Sequence, residues 1–463
     1  MFTLEEMLTI EHIAVENLSP NRVLRIRRIT TDSRNVKPGD AFVAIRGERF
    51  DGNRFVDAAV ERGAVCAIVN EGLKHTKLRV PLIRVKDTTR ALGELARLHR
   101  RKFDIPVIAI TGSSGKTTTK EMVHSVLKTK YNVLSTKGNL NNHIGVPQTL
   151  FRLKKNHEVA VIEMGMNHVG EIHYLCEMAE PTHGVVTNIG KAHLGYFKSI
   201  EQVAEAKGEL FDWIAERGER VGFINMDDSL VVRQSKKVRN KITYSCSRSR
   251  AAMQSRLERV DAKGQPVIEL TSKGWKKPVT ISMRIAGIHN ISNVTAAAAI
   301  GKEFGISPGE IQSALQNFKP VSGRLEVSRI SGVTIVNDAY NANPESVMSA
   351  LETIASMDCR GRRIVVLGDM LELGTSSRSE HKHIGAALLK FQCDMLLTVG
   401  TYTKHLNNAA KIKEKIHYDD KRQLIQQLSG SVQKGDVVLI KGSHGMRMDE
   451  VVNELVKYLK PKT

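Results

Sequence analysis

The chain has 463 residues, with 69 Lys and Arg against 49 Asp and Glu, a net charge of +20, 41% apolar and 25% charged residues. That length predicts two to four domains at ~100–200 residues each, and the composition is that of a globular protein, not of a fibrous or disordered chain. No apolar run approaches the ~18 residues that cross a bilayer, which argues against membrane insertion.

Residues 1–95 alternate short strands and helices. DAFVAIRG (residues 40–47) reads as a strand, FVDAAVERGA (55–64) as a helix and CAIVNE (66–71) as a strand. A helix ending in HRRKFD (99–104) then leads into the β-branched strand PVIAIT (106–111). Strand–loop–helix units follow through VAVIEMG (159–165), HGVVTNIG (183–190), the helix VAEAKGELFDWIAE (203–216), a helix over residues 290–304 and SPGEIQSALQNF (307–318). From residue 320, four apolar strands, VTIVNDAY, RRIVVLGD, DMLLTVG and DVVLIKG, alternate with helical stretches and predict a doubly wound parallel sheet. The expected fold class is therefore α/β, in three domains at 1–95, 96–319 and 320–463.

TGSSGK (111–116) sits between a buried strand and the helix TTTKEMVHSVLK (117–128). Glycines there let successive backbone N–H groups point at one anion, and the helix N-terminus adds partial positive charge. Lys116 is placed to reach the terminal phosphates and Thr117 to hold Mg²⁺ through its hydroxyl, although Ile110 stands where the common phosphate loop has its first glycine. Glu163 ends a buried strand, where a carboxylate can hold a metal near phosphates, and His193 lies just beyond another strand end. Lys207 shares a helix face with Val203, Leu210 and Ile214, so its amine is costly there unless paired, modified or neutral.

Charge is uneven along the chain. Residues 231–284 hold 14 Lys and Arg against 3 Asp and Glu, a balance of +11, with only Tyr244 and Trp275 as aromatics. Nucleic-acid surfaces usually interleave aromatics or carry a known module, so a solvated basic face is the expectation. His168, His173 and Cys176 lack a fourth ligand and match no zinc spacing; they read as a helix surface. Cys66, Cys176, Cys246, Cys359 and Cys393 are scattered and odd in number, and the N-terminus is acidic with no signal-peptide pattern. Together these predict reduced thiols and a cytoplasmic location.

TGSSGKTTTKE, EMG, NIGKAHL, AEAKGE, GIHNISNVTAA and SGRLE, in this order, resemble the motifs of the Mur ligase family of ATP-dependent amide ligases, whose phosphate loop also lacks the first glycine. TDSRNVKPGDAFVAIRGERFDGNRFV resembles a uridine-diphosphate-binding segment of that family, and VNDAYNANPESV with LGDMLELG resembles the branch that joins D-alanyl-D-alanine to UDP-N-acetylmuramoyl-tripeptide. The resemblance implies a three-domain α/β architecture with a central P-loop-type ATPase domain and a C-terminal Rossmann-like sheet closing over ATP. It implies ATP contacts at Thr111, Gly112, Ser113, Ser114, Gly115, Lys116, Thr117, Thr118, Asn290, Asn293, Arg324 and Asp338. It implies Mg²⁺ ligands at Thr117, Glu163, His193 and Lys207, the last as an N6-carboxylysine carbamate. Thr31, Asp32, Ser33, Arg34, Asn139, Asn141 and Asn142 resemble the muropeptide site, with Asn341, Asn343, Asp369 and Glu372 around ATP and the incoming dipeptide. Catalysis would fall to Lys116, Glu163, His193 and Lys207, in a monomer acting on small molecules without nucleic acid. The chain departs from family usage at Asn53, Gly195, Lys198 and His444, none of them a metal or phosphate ligand. Three other readings differ in acceptor, class or activity: a related ligase, either the MurE branch or folylpolyglutamate synthase; a nucleic-acid-dependent ATPase supported only by the charge and the loop; and an inactive family member, against which the intact Lys116, Glu163, His193 and Lys207 argue.

Overall fold

The computed structural model describes residues 1–17, 24–47, 50–73, 78–191, 195–197, 199–247 and 250–460. Its packing defines two compact units. The first comprises Met1–Ala109, Tyr131–Met166 and Glu171–Thr182, and the second Ile110–Lys130, Asn167–Gly170 and His183–Thr463.

The first unit contains a five-stranded sheet in the order Ala14–Glu16, Leu82–Val85, Cys66–Asn70, Asp40–Val43 and Arg28–Thr30. All neighbours are parallel except the first pair. Cys66 to Val69 and all of Asp40–Val43 are buried, the continuous pattern of parallel strands covered on both faces. The helix Thr88–Arg100 starts at Asp87, whose carboxylate accepts from the amides of Thr89 and Arg90, and buries Leu92, Leu95, Ala96 and His99. The boundary expected after residue 95 falls inside this helix. The strand Val159–Glu163 runs parallel to Val133–Ser135 and carries Glu163 at its C-terminal end.

In the second unit the strands His183–Val186, Val221–Asn225, Asn240–Ser245 and Met253–Val260 are parallel neighbours. Pro266–Ser272 and Val279–Ser282 then continue antiparallel. The basic segment 231–284, expected as a solvated face, thus supplies four strands. Met253, Ser255, Ile268, Leu270 and Ile281 point inward, while Arg256 and Arg259 are exposed, so the charge lies outside the strands' packed face. A register shift between Leu257 and Arg259 interrupts the alternation that would have revealed the strand in sequence.

A six-stranded sheet in the second unit runs Glu326–Ile330, Val333–Asp338, Val437–Lys441, Arg363–Gly368, Met395–Val399, Glu414–Tyr418. Five strands are parallel, and the edge strand Glu326–Ile330 is antiparallel, a hairpin partner the sequence reading did not include. Alternate residues of one strand feed two cores: Val365 and Leu367 pack with Val347, Leu351 and Ile384, while Ile364 and Val366 pack with Leu424, Val451 and Leu455. That alternation between two helical layers is the doubly wound arrangement, and its ligand crevice lies at the carboxyl ends of the strands. Asp338, Asp369 and Lys441 all stand at those ends.

Candidate active site

The candidate residues fall in both units, and each set is built up within its own unit. In the second, Thr111 ends a strand and the helix Lys116–Leu127 begins four residues after Gly112. Gly112 has φ +149°, and a Cβ there would run into the Thr187 side chain. Gly115 caps the helix at φ +79°, and a Cβ there would lie 2.6 Å from Asn293 Oδ1. Both positions need glycine for backbone conformation and for space. The turn between them is pinned by the neighbouring strand's loop. Ser113 N donates to the Asn188 carbonyl at 3.0 Å and Ser114 N to Asn188 Oδ1 at 2.9 Å. Thr187 Oγ1 and Asn188 Nδ2 donate to the Ser114 carbonyl at 2.7 and 3.0 Å. Lys116 Nζ folds back to the Gly112 carbonyl at 2.6 Å. A glycine turn opening a helix, with a lysine over it, has the form of a phosphate cradle.

Residues distant in sequence close around this turn. Arg324 Nη2 donates to Thr117 Oγ1 at 3.0 Å, and its guanidinium stacks 4.1 Å from the Tyr340 ring centroid. Arg324 Nε is buried with no hydrogen-bond partner among the described residues. Asn293 accepts from Thr119 Oγ1 at 3.0 Å and donates to Asn290 Oδ1 at 2.9 Å, and Asn290 donates to the Ala286 carbonyl. Thr118, on the same helix as Thr119, is buried. Asn343 caps the helix Pro344–Ala355 and lies 3.4 Å from Ser114 Oγ.

Lys207 sits on the helix Ile200–Ala215, 1% exposed, with Val203, Leu210 and Ile214 buried on the same stripe. Among the described residues it has no ion-pair partner. Burial, and then the positive charge of Lys116, push its ammonium well below the ordinary lysine range. His193 and Lys198 lie outside the described residues. Just beyond His193, Gly195 N donates to the Glu372 carbonyl at 2.8 Å, and Glu372 takes φ +65°.

Other candidates have structural duties. Asp338 receives Lys441 Nζ at 2.5 Å and the Leu325 amide at 3.1 Å, and Lys441, itself 2% exposed, also donates to the Asn341 carbonyl at 2.8 Å. Sequence reading had not singled out Lys441; its place at the end of an apolar strand was the available signal. Asn341 Oδ1 accepts from the Ala342 amide. The buried Asp369 carboxylate accepts three backbone amides, from Thr401 at 2.9 Å, Tyr402 at 3.0 Å and Thr403 at 2.7 Å, and so organises a loop.

In the first unit, Glu163 is 2% exposed. Its Oε1 accepts from Asn141 Nδ2 at 2.8 Å, its amide donates to Thr136 Oγ1 at 3.0 Å, and its Oε2 is buried without a hydrogen-bond partner among the described residues. A buried carboxylate oxygen left open in this way suits a cation. Asn142 caps the following turn through the Ile144 and Gly145 amides, and the Asn139 carbonyl accepts from the Asn141 amide. Thr31 Oγ1 accepts from Gln148 Nε2 at 3.2 Å, which ties the 31–34 turn to the helix after Asn142; Gln148 is a residue the sequence reading missed. Asp32 holds Arg34 in a forked pair, with Ser33 between them, and Arg34 holds the Asp32 carboxyl down to about 2. Asn53 bridges Asp51 and Asn70.

The residues 168, 173 and 176 do not form one surface group. His168 packs on Tyr196, His173 pairs with Glu177, and Cys176 is buried against Met164. The expected helix surface fails at Cys176, which occupies the inward face of its helix. Among the described residues no cluster of three or more His, Cys, Asp or Glu could hold a metal by itself, and no helix is long and apolar enough to cross a membrane.

Comparison with known proteins agrees with these features. Residues 25–100 match the Mur ligase family catalytic domain, 110–301 the Mur ligase middle domain, and 323–444 the Mur ligase glutamate ligase domain. The chain is 37% identical over 437 residues to the UDP-N-acetylmuramoyl-tripeptide–D-alanyl-D-alanine ligase of Bacillus subtilis, covering 93% of each. It superposes on the crystal structure of MurF from Acinetobacter baumannii with a TM-score of 0.89 at 30% identity, covering 98% of this chain and 99% of that one. It superposes on the MurF ligase of Thermotoga maritima in complex with ADP with a TM-score of 0.84 at 30% identity, covering 95% and 99%. With a nucleotide loop, a buried lysine and three matched domains in family order, the chain belongs to the Mur ligase family, in its MurF branch.

Proposed function

We propose that this chain joins D-alanyl-D-alanine to UDP-N-acetylmuramoyl-tripeptide at the expense of ATP, as a cytoplasmic monomer in the synthesis of peptidoglycan precursors. The observation that carries the reading is the fully buried Lys207 within electrostatic reach of Lys116 of the glycine loop. A structural helix gains nothing from an amine there; a carbamate beside a phosphate site does.

The tripeptide carboxylate attacks the γ-phosphorus of ATP, the bond to the β-phosphate oxygen breaks and ADP leaves. Lys116 and the amides of the turn neutralise the charge that develops on the transferred group. The product is an acyl phosphate, a far better acyl donor than the carboxylate. The dipeptide amine adds to its carbonyl, and the tetrahedral intermediate expels phosphate as the amide forms. Arg324 contacts the phosphates, Asn290 and Asn293 the adenosine, and Asp338 the ribose. Thr31 to Arg34 and Asn139 to Asn142 receive the nucleotide-linked peptide; Asn341, Asn343, Asp369 and Glu372 border ATP and the dipeptide. Asp369 is the weakest of these, because its carboxylate is already engaged by three amides.

Magnesium, when bound, neutralises phosphate charge, and oxygen donors suit it. Its ligands in this reading are Thr117, Glu163, His193 and Lys207 as carbamate, and the open buried oxygen of Glu163 supports the assignment. CO₂ adds only to a neutral amine, which the burial of Lys207 favours.

The test is phosphate release from ATP and Mg²⁺ with the tripeptide substrate, the dipeptide, both, or single-stranded DNA. Release that needs both substrates, with a product heavier by one dipeptide less water, supports the ligase. Release driven by DNA overturns it and turns attention to the basic strands.

A further inference from the structure

We infer that Lys441 is a positioning residue for nucleotide selectivity: its ammonium fixes the Asp338 carboxylate so that the carboxylate's open lone pairs meet a ribose hydroxyl. The inference rests on the ribose contact proposed above for Asp338 and adds the group that makes that contact selective. Lys441 ends the strand Val437–Lys441, which lies between Val333–Asp338 and Arg363–Gly368. Its Cα is in register with those of Asp338 and Leu367. It therefore stands at the carboxyl ends of the strands, where a doubly wound sheet takes its ligands.

A lysine is a costly choice at this position. Lys441 is buried and follows the apolar run VVLI, so an apolar side chain would complete the strand without desolvating a charge. Confining an ammonium there is repaid only by close and complete hydrogen bonding. Two acceptors supply it, Asp338 Oδ2 at 2.5 Å and the Asn341 carbonyl at 2.8 Å, one ending the neighbouring strand and one in the turn after it.

The pair leaves an aimed carboxylate. Asp338 Oδ1 accepts the Leu325 amide at 3.1 Å, so among the described residues each carboxylate oxygen has one donor and keeps a lone pair. Donors on two different elements set the plane of the group, and its side chain keeps 13% exposure, enough for a ligand hydroxyl to reach it. A hydroxyl donating to a carboxylate makes one of the stronger hydrogen bonds, and a nucleotide lacking that hydroxyl forfeits it. The turn after Asp338 has supports that do not involve the ammonium. Tyr340 N donates to the Gly323 carbonyl at 3.1 Å, Ser443 Oγ to the Ala342 carbonyl at 3.1 Å, and Ala342 N to Asn341 Oδ1 at 2.9 Å. Loss of the ammonium thus releases the carboxylate before it releases the turn.

The experiment measures, by calorimetric titration of the full chain at constant Mg²⁺, the Kd of ADP, 2′-deoxy-ADP and 3′-deoxy-ADP. The unaltered protein should bind ADP roughly tenfold or more tighter than at least one deoxy analogue, the scale of a hydrogen bond to a charged group. In Lys441→Met, ADP should weaken to the level of that analogue while the analogue binds as before. Lys441→Gln, which keeps a donor of similar reach without the charge, should fall between the two, and it decides if Lys441→Met fails to fold. A merely structural lysine predicts the opposite: the ratio of ADP to analogue stays as large in the variants, whether or not binding falls overall, and that result overturns the inference. Equal binding of all three nucleotides by the unaltered protein overturns it as well, together with the ribose contact of Asp338. Neither the tripeptide nor the dipeptide is present in this titration. Absence of amide product in the ligation assay would therefore defeat the ligase reading and leave the nucleotide comparison standing.

Discussion

The guanidinium of Arg324 donates to the hydroxyl of Thr117 at 3.0 Å, across 207 positions of the chain. It also stacks on Tyr340, so its plane is held from one side and its fork aimed from the other. Lysine at this position keeps the charge but neither the planar fork nor the stack. Arg324→Lys should lower kcat/KM for ATP about 10- to 100-fold, with Tyr340→Phe near neutral and Tyr340→Ala in between. A fully active Arg324→Lys enzyme would remove Arg324 from the phosphate site.

Lys207→Met keeps length and apolarity while deleting the buried amine. The melting temperature should hold or rise, because the folded state no longer confines an amine that burial disfavours. Ligation should fall to background. In the unaltered protein, activity should decline on removal of CO₂ and return with bicarbonate. Activity indifferent to CO₂ would rule out the carbamate.

Gly115→Ala forces a side chain into φ +79° and places Cβ 2.6 Å from Asn293 Oδ1, the atom that accepts from Thr119. The expected loss of stability is about 1–3 kcal/mol, together with loss of the stabilisation that ADP gives the unaltered protein. Thermal melts with and without ADP measure both. An alanine variant that ADP still stabilises in full would show the cradle to be tolerant.

Asp369→Asn replaces an acceptor of three amides by a group with two donors of its own. One buried amide is left unsatisfied, at a cost of roughly 1–3 kcal/mol. The denaturation midpoint should drop while the KM for ATP and for the dipeptide stay unchanged. The reverse pattern, altered KM at full stability, would show that Asp369 contacts substrate directly rather than only bordering it through the loop it holds.

His99 is buried against Phe2, Phe103 and Phe151, with Nε2 on the Leu153 carbonyl at 3.2 Å. Burial pushes its pKa down to about 4. The unfolded chain protonates it near the ordinary ~6.5. Between those values the unfolded state binds the extra proton. The contribution is therefore fully present above about 6.5 and is lost as pH falls towards 4. His99→Phe should flatten the pH dependence of unfolding across that window by on the order of 2 kcal/mol, read from urea denaturation at pH 7 and 4.5. An unchanged slope would mean that His99 is already protonated in the folded state.

What the sequence determined by itself is local. The glycine turn between a β-branched strand and a helix, the four apolar strands of the C-terminal sheet and the placing of Lys207 on an apolar stripe all follow from periodicity and turn chemistry within a few residues of one another. The strands between residues 240 and 282 escaped because a register shift and exposed arginines blur their alternation. Only the tertiary structure decided that Arg324 meets Thr117, that Asn293 bridges Thr119 and Asn290, that Lys441 neutralises Asp338, and that Asp369 serves backbone amides. The first three join elements 100 or more residues apart or a helix face to a loop, and depend on which strand lies beside which. The spacing of residues along a chain carries no record of that, because the order of strands in a sheet is fixed by packing both of its faces, not by the order of synthesis.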